Sequence, residues 1–369
     1  MNDRRVDGTG TDGLGLGTGA PAGSGGRPIV VLRPAPRRHD ELFDAAVRAE
    51  LDQVFQIVDV SGIDPVADEA LLDAVLPDVF AIVGQPALPR ERIARAALLR
   101  AVLNVEGNFL PNVDYEACFE RGIHVLSAGP AFAQPVAEFA LGLALDLARG
   151  ISREDRAFRV GEEARVPYGG SRGVLLRGAD VGLIGFGNLG RALHPLLVPF
   201  RPTIRVYDPW LPASVLRDRG LLPASLDETI SLSQFLFVLA AATTENRHLL
   251  GPAELALAPP DARLVLVSRA PVVDYEALLE RVAGGQLRAA VDVWPEEPLA
   301  LDHPARALDG LVLSGHRAGG VPAAFREIGA MVRDDLLLLA RGLPPVRMQS
   351  GARELVARYR NRPVIGQAD

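Results

Sequence analysis

Residues 180–193 read Asp-Val-Gly-Leu-Ile-Gly-Phe-Gly-Asn-Leu-Gly-Arg-Ala-Leu, an apolar run that enters three glycines and leaves as a helix-forming stretch. Gly185, Gly187 and Gly190 make G-x-G-x-x-G, a weak signal alone in a chain with 37 glycines. The setting gives it weight, because the glycines follow a strand-like run and open a helix. The first glycine permits a tight turn, the second lets a pyrophosphate approach the backbone, and the third lets helix and strand pack closely. The pyrophosphate would rest on the unpaired N–H groups of the helix start, around Asn188 and Leu189. The next apolar run, 204–207, ends in Asp208, 18 residues beyond Gly190. A carboxylate there can accept from ribose hydroxyls and repels a 2′-phosphate, which favours NAD over NADP. The plainer reading of Asp208 is a turn before Pro209.

Outward from this loop, short apolar runs alternate with helical stretches. Upstream the spacing predicts strands at 29–32, 56–60, 79–83, 101–105 and 124–126, with helices at 41–51, 68–75, 90–99 and 114–121 between them. A long helix is expected over 134–149, apolar nearly all round, with a polar stretch at 151–173 after it. Downstream, strands are expected at 180–184, 204–207, 236–240, 264–267, 289–293 and 311–313, closed by a helix at 323–341. Such alternation predicts parallel sheets with helices on both faces, an α/β protein.

The chain has 369 residues, which at roughly 150 per domain suggests two or three domains. The charge balance is −7, so no broad positive field is available for nucleic acid. None of the 39 basic residues is a lysine, which reads as codon bias. A single cysteine, Cys118, excludes an internal disulfide and a cysteine-based zinc site; no metal site is expected. No apolar run approaches the ~18 residues of a membrane span, and the N-terminus lacks a signal-like apolar region. The expectation is a cytoplasmic protein with neither membrane nor nucleic-acid partner. Residues 1–27 are glycine-rich and expected to be disordered; residues 346–369 are expected to be a solvated tail.

Three further segments lie at predicted strand ends, where open α/β sheets place ligands. They are Val267-Ser268-Arg269-Ala270-Pro271-Val272-Val273-Asp274, then Asp292-Val293-Trp294-Pro295-Glu296-Glu297-Pro298, then Ser314-Gly315-His316-Arg317-Ala318-Gly319-Gly320. With the glycine loop, Pro135-Val136-Ala137-Glu138 and Thr243–Arg247, they resemble the D-isomer-specific 2-hydroxyacid dehydrogenases over residues 28–345. That family includes phosphoglycerate, glyoxylate/hydroxypyruvate and D-lactate dehydrogenases. Its pattern is R-G-x-x-V-D, then L-D-V-F-x-x-E-P, then P-H-x-x-G. The resemblance implies roles for Arg269, Glu297 and His316 in exchanging hydride between NAD and a small 2-oxo or D-2-hydroxy acid. Imidazole suits acid/base work because it titrates near neutral pH. A carboxylate on its far nitrogen favours the imidazolium, and a guanidinium fork can hold a carboxylate and polarise a carbonyl. Each could instead be structural, as the other five histidines are read to be.

The resemblance also implies cofactor contacts from Val267, Ser268, Arg269, Asp292, His316 and Gly319, with Asp292 on the nicotinamide carboxamide. Substrate contacts would come from Arg269, His316 and a loop containing Gly107 and Asn108, whose backbone N–H groups hold the carboxylate. It implies a Rossmann NAD-binding domain at 128–319, inserted into a flavodoxin-like substrate domain made of 28–127 and 320–345, and a homodimer joined through the helix at 134–149. No regulatory domain is expected after residue 343. Several positions depart from the pattern. Phe109 replaces a glycine and should make the pocket wall bulkier or differently shaped, since Phe resists a positive φ. Leu266, Ala270 and Gly315 replace Asn, Gly and Pro, Leu239-Ala240-Ala241 replaces the usual His/Thr-Pro, and Arg317 beside His316 could lower its pKa or bind a second anion. Two other readings stand beside the dehydrogenase: an NAD(H)-sensing, co-repressor-like protein, and a hydride-transfer enzyme with another donor such as phosphite. Formate dehydrogenases carry Gln where Glu297 stands.

Overall fold

Why these segments form two stacks of strands is visible in a computed structural model, which describes residues 26–60, 62, 65–163 and 173–358. Most of the expected glycine-rich tail, and the chain after 358, lie outside the described residues. The first sheet holds β1 (Ile29–Arg33), β2 (Gln56–Asp59), β3 (Val79–Gly84), β4 (Ala101–Asn104) and β5 (His124–Ser127) in parallel. Val30, Val31, Ala81, Ile82 and Val102 are fully buried, the continuous apolar pattern of strands covered on both faces. Their order, β5-β4-β3-β1-β2, is the flavodoxin-like doubly wound order.

The second sheet runs β12-β11-β10-β9-β6-β7-β8, all parallel, with β6 (Asp180–Ile184), β7 (Thr203–Tyr207), β8 (Leu222–Pro223), β9 (Phe235–Val238), β10 (Ala262–Leu266), β11 (Leu287–Val291) and β12 (Leu311–Leu313). The order reverses between β6 and β9, so a crevice opens at the carboxyl end of β6, where the three-glycine loop begins. The long helix Gly129–Arg149 packs Val136, Ala137, Ala140, Ala144 and Leu147 into this half's core. By length and composition that helix could cross a bilayer. It lies against the second sheet and against helix Asn188–Leu197, which makes it a core helix.

Several elements differ from the sequence expectation, each for a local reason. The helix expected at 41–51 is two, His39–Leu42 and Ala45–Val54, because Phe43 is extended and Asp44 caps the second one through Val47 N–H at 2.9 Å. The break lets helix Pro322–Ala340 come close: a Cβ on Gly329 would sit 2.0 Å from Leu42 O. The helix expected at 90–99 stops at Arg95, and the Arg121 guanidinium takes the carbonyls of Ile93 and Ala96 beyond it. The long helix starts at Gly129, five residues early. The stretch 151–173 contains a helix, Ile151–Val160, with no buried residue; Ile151, Phe158 and Val160 face outward.

The largest difference is at the C-terminal end. Residues 346–358 are not a free tail. Gln349–Ser350 (β13) adds antiparallel to β5 and extends the first sheet, and helix Arg353–Arg358 follows, burying Val356 in that half's core. Asp335, fully buried in helix Pro322–Ala340, accepts from the N–H groups of Val346 (2.8 Å), Arg347 (2.9 Å) and Met348 (2.8 Å). A buried carboxylate needs such partners, and these three donors fix where the chain turns back.

Candidate active site

The glycine loop is built from steric necessities. Gly185 has φ +95°, and a Cβ there would lie 2.8 Å from the Ala240 backbone. A Cβ on Gly190 would lie 2.9 Å from Gly185 O and 3.0 Å from the Phe186 ring. Gly187, at the start of helix Asn188–Leu197, has open space around it and no side-chain cap on the helix. The middle glycine thus leaves room where a phosphate would approach, and the helix leaves donors to meet it. Asp208 locks the loop by accepting from Phe186 N–H at 2.7 Å and Trp210 N–H at 2.9 Å. A carboxylate has about four acceptor sites, so two remain for hydroxyls. These residues fit a dinucleotide. Leu189 packs its side chain against the core beneath. Asn188 Nδ2 donates to Gln349 Oε1 at 2.7 Å, a contact from the C-terminal segment that the sequence did not announce.

The other strand ends bring the expected triad onto one side. His316 Nδ1 lies 2.8 Å from Glu297 Oε2, and Glu297 Oε1 accepts from Trp294 N–H at 2.8 Å. Burial pushes the Glu297 carboxyl up, but the His316 hydrogen bond, the Trp294 N–H and the charges of His316 and Arg269 outweigh it and hold the group below its usual value. The Trp294 indole donates to Ser314 O at 2.8 Å, tying the Glu297 loop to the His316 loop. His316 has φ +53°, a left-handed conformation that costs a non-glycine residue energy.

Asp292 holds that conformation. It is buried, its Oδ1 accepts from Ser314 Oγ at 2.5 Å and Arg317 N–H at 2.9 Å, and its Oδ2 from Ala318 N–H at 3.1 Å. Both Asp292 oxygens thus serve the loop that carries His316. Val267 and Ser268 are buried beside Arg269, and the Ser268 hydroxyl has no hydrogen-bond partner among the described residues.

Arg269 meets the other half of the molecule. Burial pushes its guanidinium down, opposed by the charges of Glu106, Glu297 and Asp292. Its Nη1 donates to Ser268 O at 2.6 Å. With the Asn108 amide oriented by its neighbours, Asn108 Oδ1 accepts from Arg269 Nε at 3.0 Å and Nη2 at 2.9 Å. A Cβ on Gly107 would come 3.2 Å from the Phe132 ring and 4.0 Å from Arg269 Nη2, and a Cβ on Gly319 would come 3.0 Å from the same ring. Phe132 therefore separates the Gly107 and Gly319 loops at the cleft floor. Gly107, Asn108, Arg269 and Gly319 lie together around it. Sequence reasoning missed Arg37, whose Nη2 donates to Glu106 Oε2 at 3.1 Å while its guanidinium stacks over Phe325 and Phe132.

One expectation is corrected: Phe109 does not make the pocket wall bulkier. Its φ is not positive, and its ring is buried in the core of the first half, edge-on to Tyr115 at 6.4 Å. Arg317 is exposed and lines a cavity of about 730 Å³ with Gln134, Glu138, Ala324 and Glu327, lined by neither His316 nor Arg269.

Two doubly wound α/β halves, a glycine loop at a switch point and a His–Glu pair facing an arginine define a dinucleotide-dependent α/β protein. Residues 141–318 match the "D-isomer specific 2-hydroxyacid dehydrogenase, NAD binding domain", and the chain belongs to that family. It is 45% identical to a phosphoglycerate oxidoreductase from Rhizobium etli, over 89% of this chain and 99% of that one, with a TM-score of 0.79. It is 30% identical to a glyoxylate reductase of Aeropyrum pernix, over 69% of this chain and 77% of the relative. A D-3-phosphoglycerate dehydrogenase of Methanocaldococcus jannaschii is 29% identical over 82% of this chain, which spans 57% of that relative's length.

Proposed function

We propose that this chain interconverts a small 2-oxo acid and its D-2-hydroxy acid. The glycine loop, the start of the helix at Asn188 and Asp208 would hold NADH, which when bound would supply the hydride. His316 gives its proton to the substrate oxygen, and takes it back in the oxidation direction. Glu297 orients the imidazole through Nδ1, leaving Nε2 for the substrate, and its negative charge favours the imidazolium. Arg269 draws the substrate carboxylate toward the same point, and Asp292 keeps His316 in its left-handed conformation. The 2.8 Å pairing of His316 with Glu297, on a loop held against its conformational preference, carries this reading.

The substrate half comprises residues 28–127 and the chain from 320 through the C-terminal helix, and the dinucleotide half 128–319. Closure of the cleft between them excludes water before transfer. The outward apolar residues Ile151, Phe158 and Val160 of the helix after Gly150 support a homodimer. Burial pushes the Cys118 thiol up to about 12 and keeps it inert.

The test is NADH consumption against glyoxylate, hydroxypyruvate, pyruvate, phosphohydroxypyruvate and bulkier 2-oxo acids, with His316→Ala alongside. Turnover on at least one acid, falling about 10²–10⁴-fold in the variant, is expected. No turnover on any acid by a protein that binds NADH sinks the dehydrogenase reading and turns attention to phosphite or to a regulatory role.

A further inference from the structure

Three of the five Arg269 N–H donors that could grip a substrate carboxylate are already in use. Arg269 Nε and Nη2 both point at Asn108 Oδ1, at 3.0 and 2.9 Å, and Nη1 is spent on Ser268 O. An amide oxygen shared by Nε and Nη2 sits where one oxygen of a carboxylate would sit on a guanidinium fork. The Asn108 amide nitrogen donates back to Gly107 O at 3.2 Å, so the side chain is held at both ends. Next to it Glu106 is anchored by Arg37 at 3.1 Å. The loop 106–108 is thereby clamped between an arginine of each half.

We infer that the Asn108 side chain is an internal competitor for the substrate carboxylate and so a specificity-determining gate. The inference rests on the reading of Arg269 as the carboxylate-binding residue. A ligand reaches the Nε–Nη2 edge of the fork only by displacing a neutral amide. An anionic carboxylate does so, because it brings a full opposite charge and a second oxygen that matches the fork bidentately. A neutral carbonyl compound gains nothing by the exchange and is rejected. The gate lowers affinity for every acid and widens the gap between acids and their neutral analogues.

The experiment titrates NADH-loaded protein with oxamate, an anionic isostere of a 2-oxo acid, and with neutral oxamide, following the fluorescence of bound NADH. Asn108→Ala is expected to bind oxamate roughly tenfold more tightly than wild type and to gain measurable binding of oxamide. Asn108→Asp sets a full negative charge on the fork and is expected to weaken oxamate by more than about tenfold. If Asn108→Ala binds oxamate no more tightly than wild type, or more weakly, Asn108 is a wall or a substrate ligand and the gate is overturned. Arg269→Ala separates the two layers. Oxamate bound by Arg269→Ala as by wild type removes the carboxylate-binding reading itself, whatever Asn108 does.

Discussion

The two halves share one architecture but secure their functional loops differently. In the dinucleotide half, the glycine loop and the His316 loop are each held by a carboxylate at the end of a nearby strand. Asp208 follows β7 and takes Phe186 N–H, and Asp292 follows β11 and takes the N–H groups of Arg317 and Ala318. In the substrate half, the carboxylate is Asp335 on a late helix, and what it holds is the returning chain at 346–348. From there Gln349 reaches Asn188, 161 residues away in sequence. A loop held by its own half can be assembled by neighbours in sequence. A loop held by the chain's far end depends on the whole fold being complete.

The largest effect that sharpens this contrast is at Asp335. Asp335→Asn leaves an amide group at a fully buried position facing at least one of the three N–H donors, and it should cost about 2–4 kcal/mol. Chemical denaturation should show a lower midpoint, and limited proteolysis a new cut between residues 342 and 352. A wild-type midpoint would mean that the returning segment is an ornament, not part of the substrate half.

Next is Glu297→Gln, expected to reduce turnover about 10–100-fold at neutral pH while leaving NADH binding intact. The sign of its pH dependence follows from the depressed carboxyl. A carboxylate held below its ordinary 4.5 stays charged through that value, and its contribution is lost only as pH falls through the lower folded value. Wild-type activity should therefore keep its charged partner for His316 to below pH 4.5, and Glu297→Gln should lack that acid limb. A variant with an unchanged pH–rate profile would detach Glu297 from the chemistry.

Two glycines three residues apart then separate packing from binding. Gly190→Ala places a Cβ 2.9 Å from Gly185 O, and it should lose about 1–3 kcal/mol of stability despite the usual helical advantage of alanine. Gly187→Ala meets nothing within 4 Å, so its melting temperature should stay near wild type while NADH affinity falls about tenfold. Equal thermal losses in the two variants would show that the second glycine is also a packing residue.

Legibility followed the same divide. The strand-to-helix alternation, the three glycines and the order Arg269, Glu297, His316 could be read because each rests on local spacing or on motifs with a chemical reason. The bonds of Asp292 to the His316 loop are not legible, since a sequence cannot say which turn after a neighbouring strand a carboxylate meets. The placement of Phe109 is not legible, because replacing a glycine does not say whether the ring enters the pocket or, as here, the core. The C-terminal segment was missed for want of length: a two-residue strand has no periodicity to detect. One signal was available in Asp335, an acid followed by Leu336-Leu337-Leu338-Leu339 in an apolar helix, because a buried carboxylate must find donors somewhere.

The smallest effect bears most directly on how the halves are tied. Gln349 Oε1 accepts from Asn188 Nδ2 at 2.7 Å, and Asn188 is the first residue of the helix that opens beneath the glycine loop. Both side chains are half-buried, so loss of the bond costs less than about 1.5 kcal/mol, with water replacing the missing partner. Gln349→Ala removes a restraint between the halves but no group that a dinucleotide touches. NADH affinity should therefore be unchanged, and KM for the 2-oxo acid, which needs both halves together, should rise about two- to threefold. Gln349→Glu keeps an acceptor for Asn188 but adds a negative charge beside the glycine loop, so there it is NADH affinity that should fall. If Gln349→Ala weakens NADH more than it raises KM for the acid, the bond serves the glycine loop itself and the two halves are tied elsewhere.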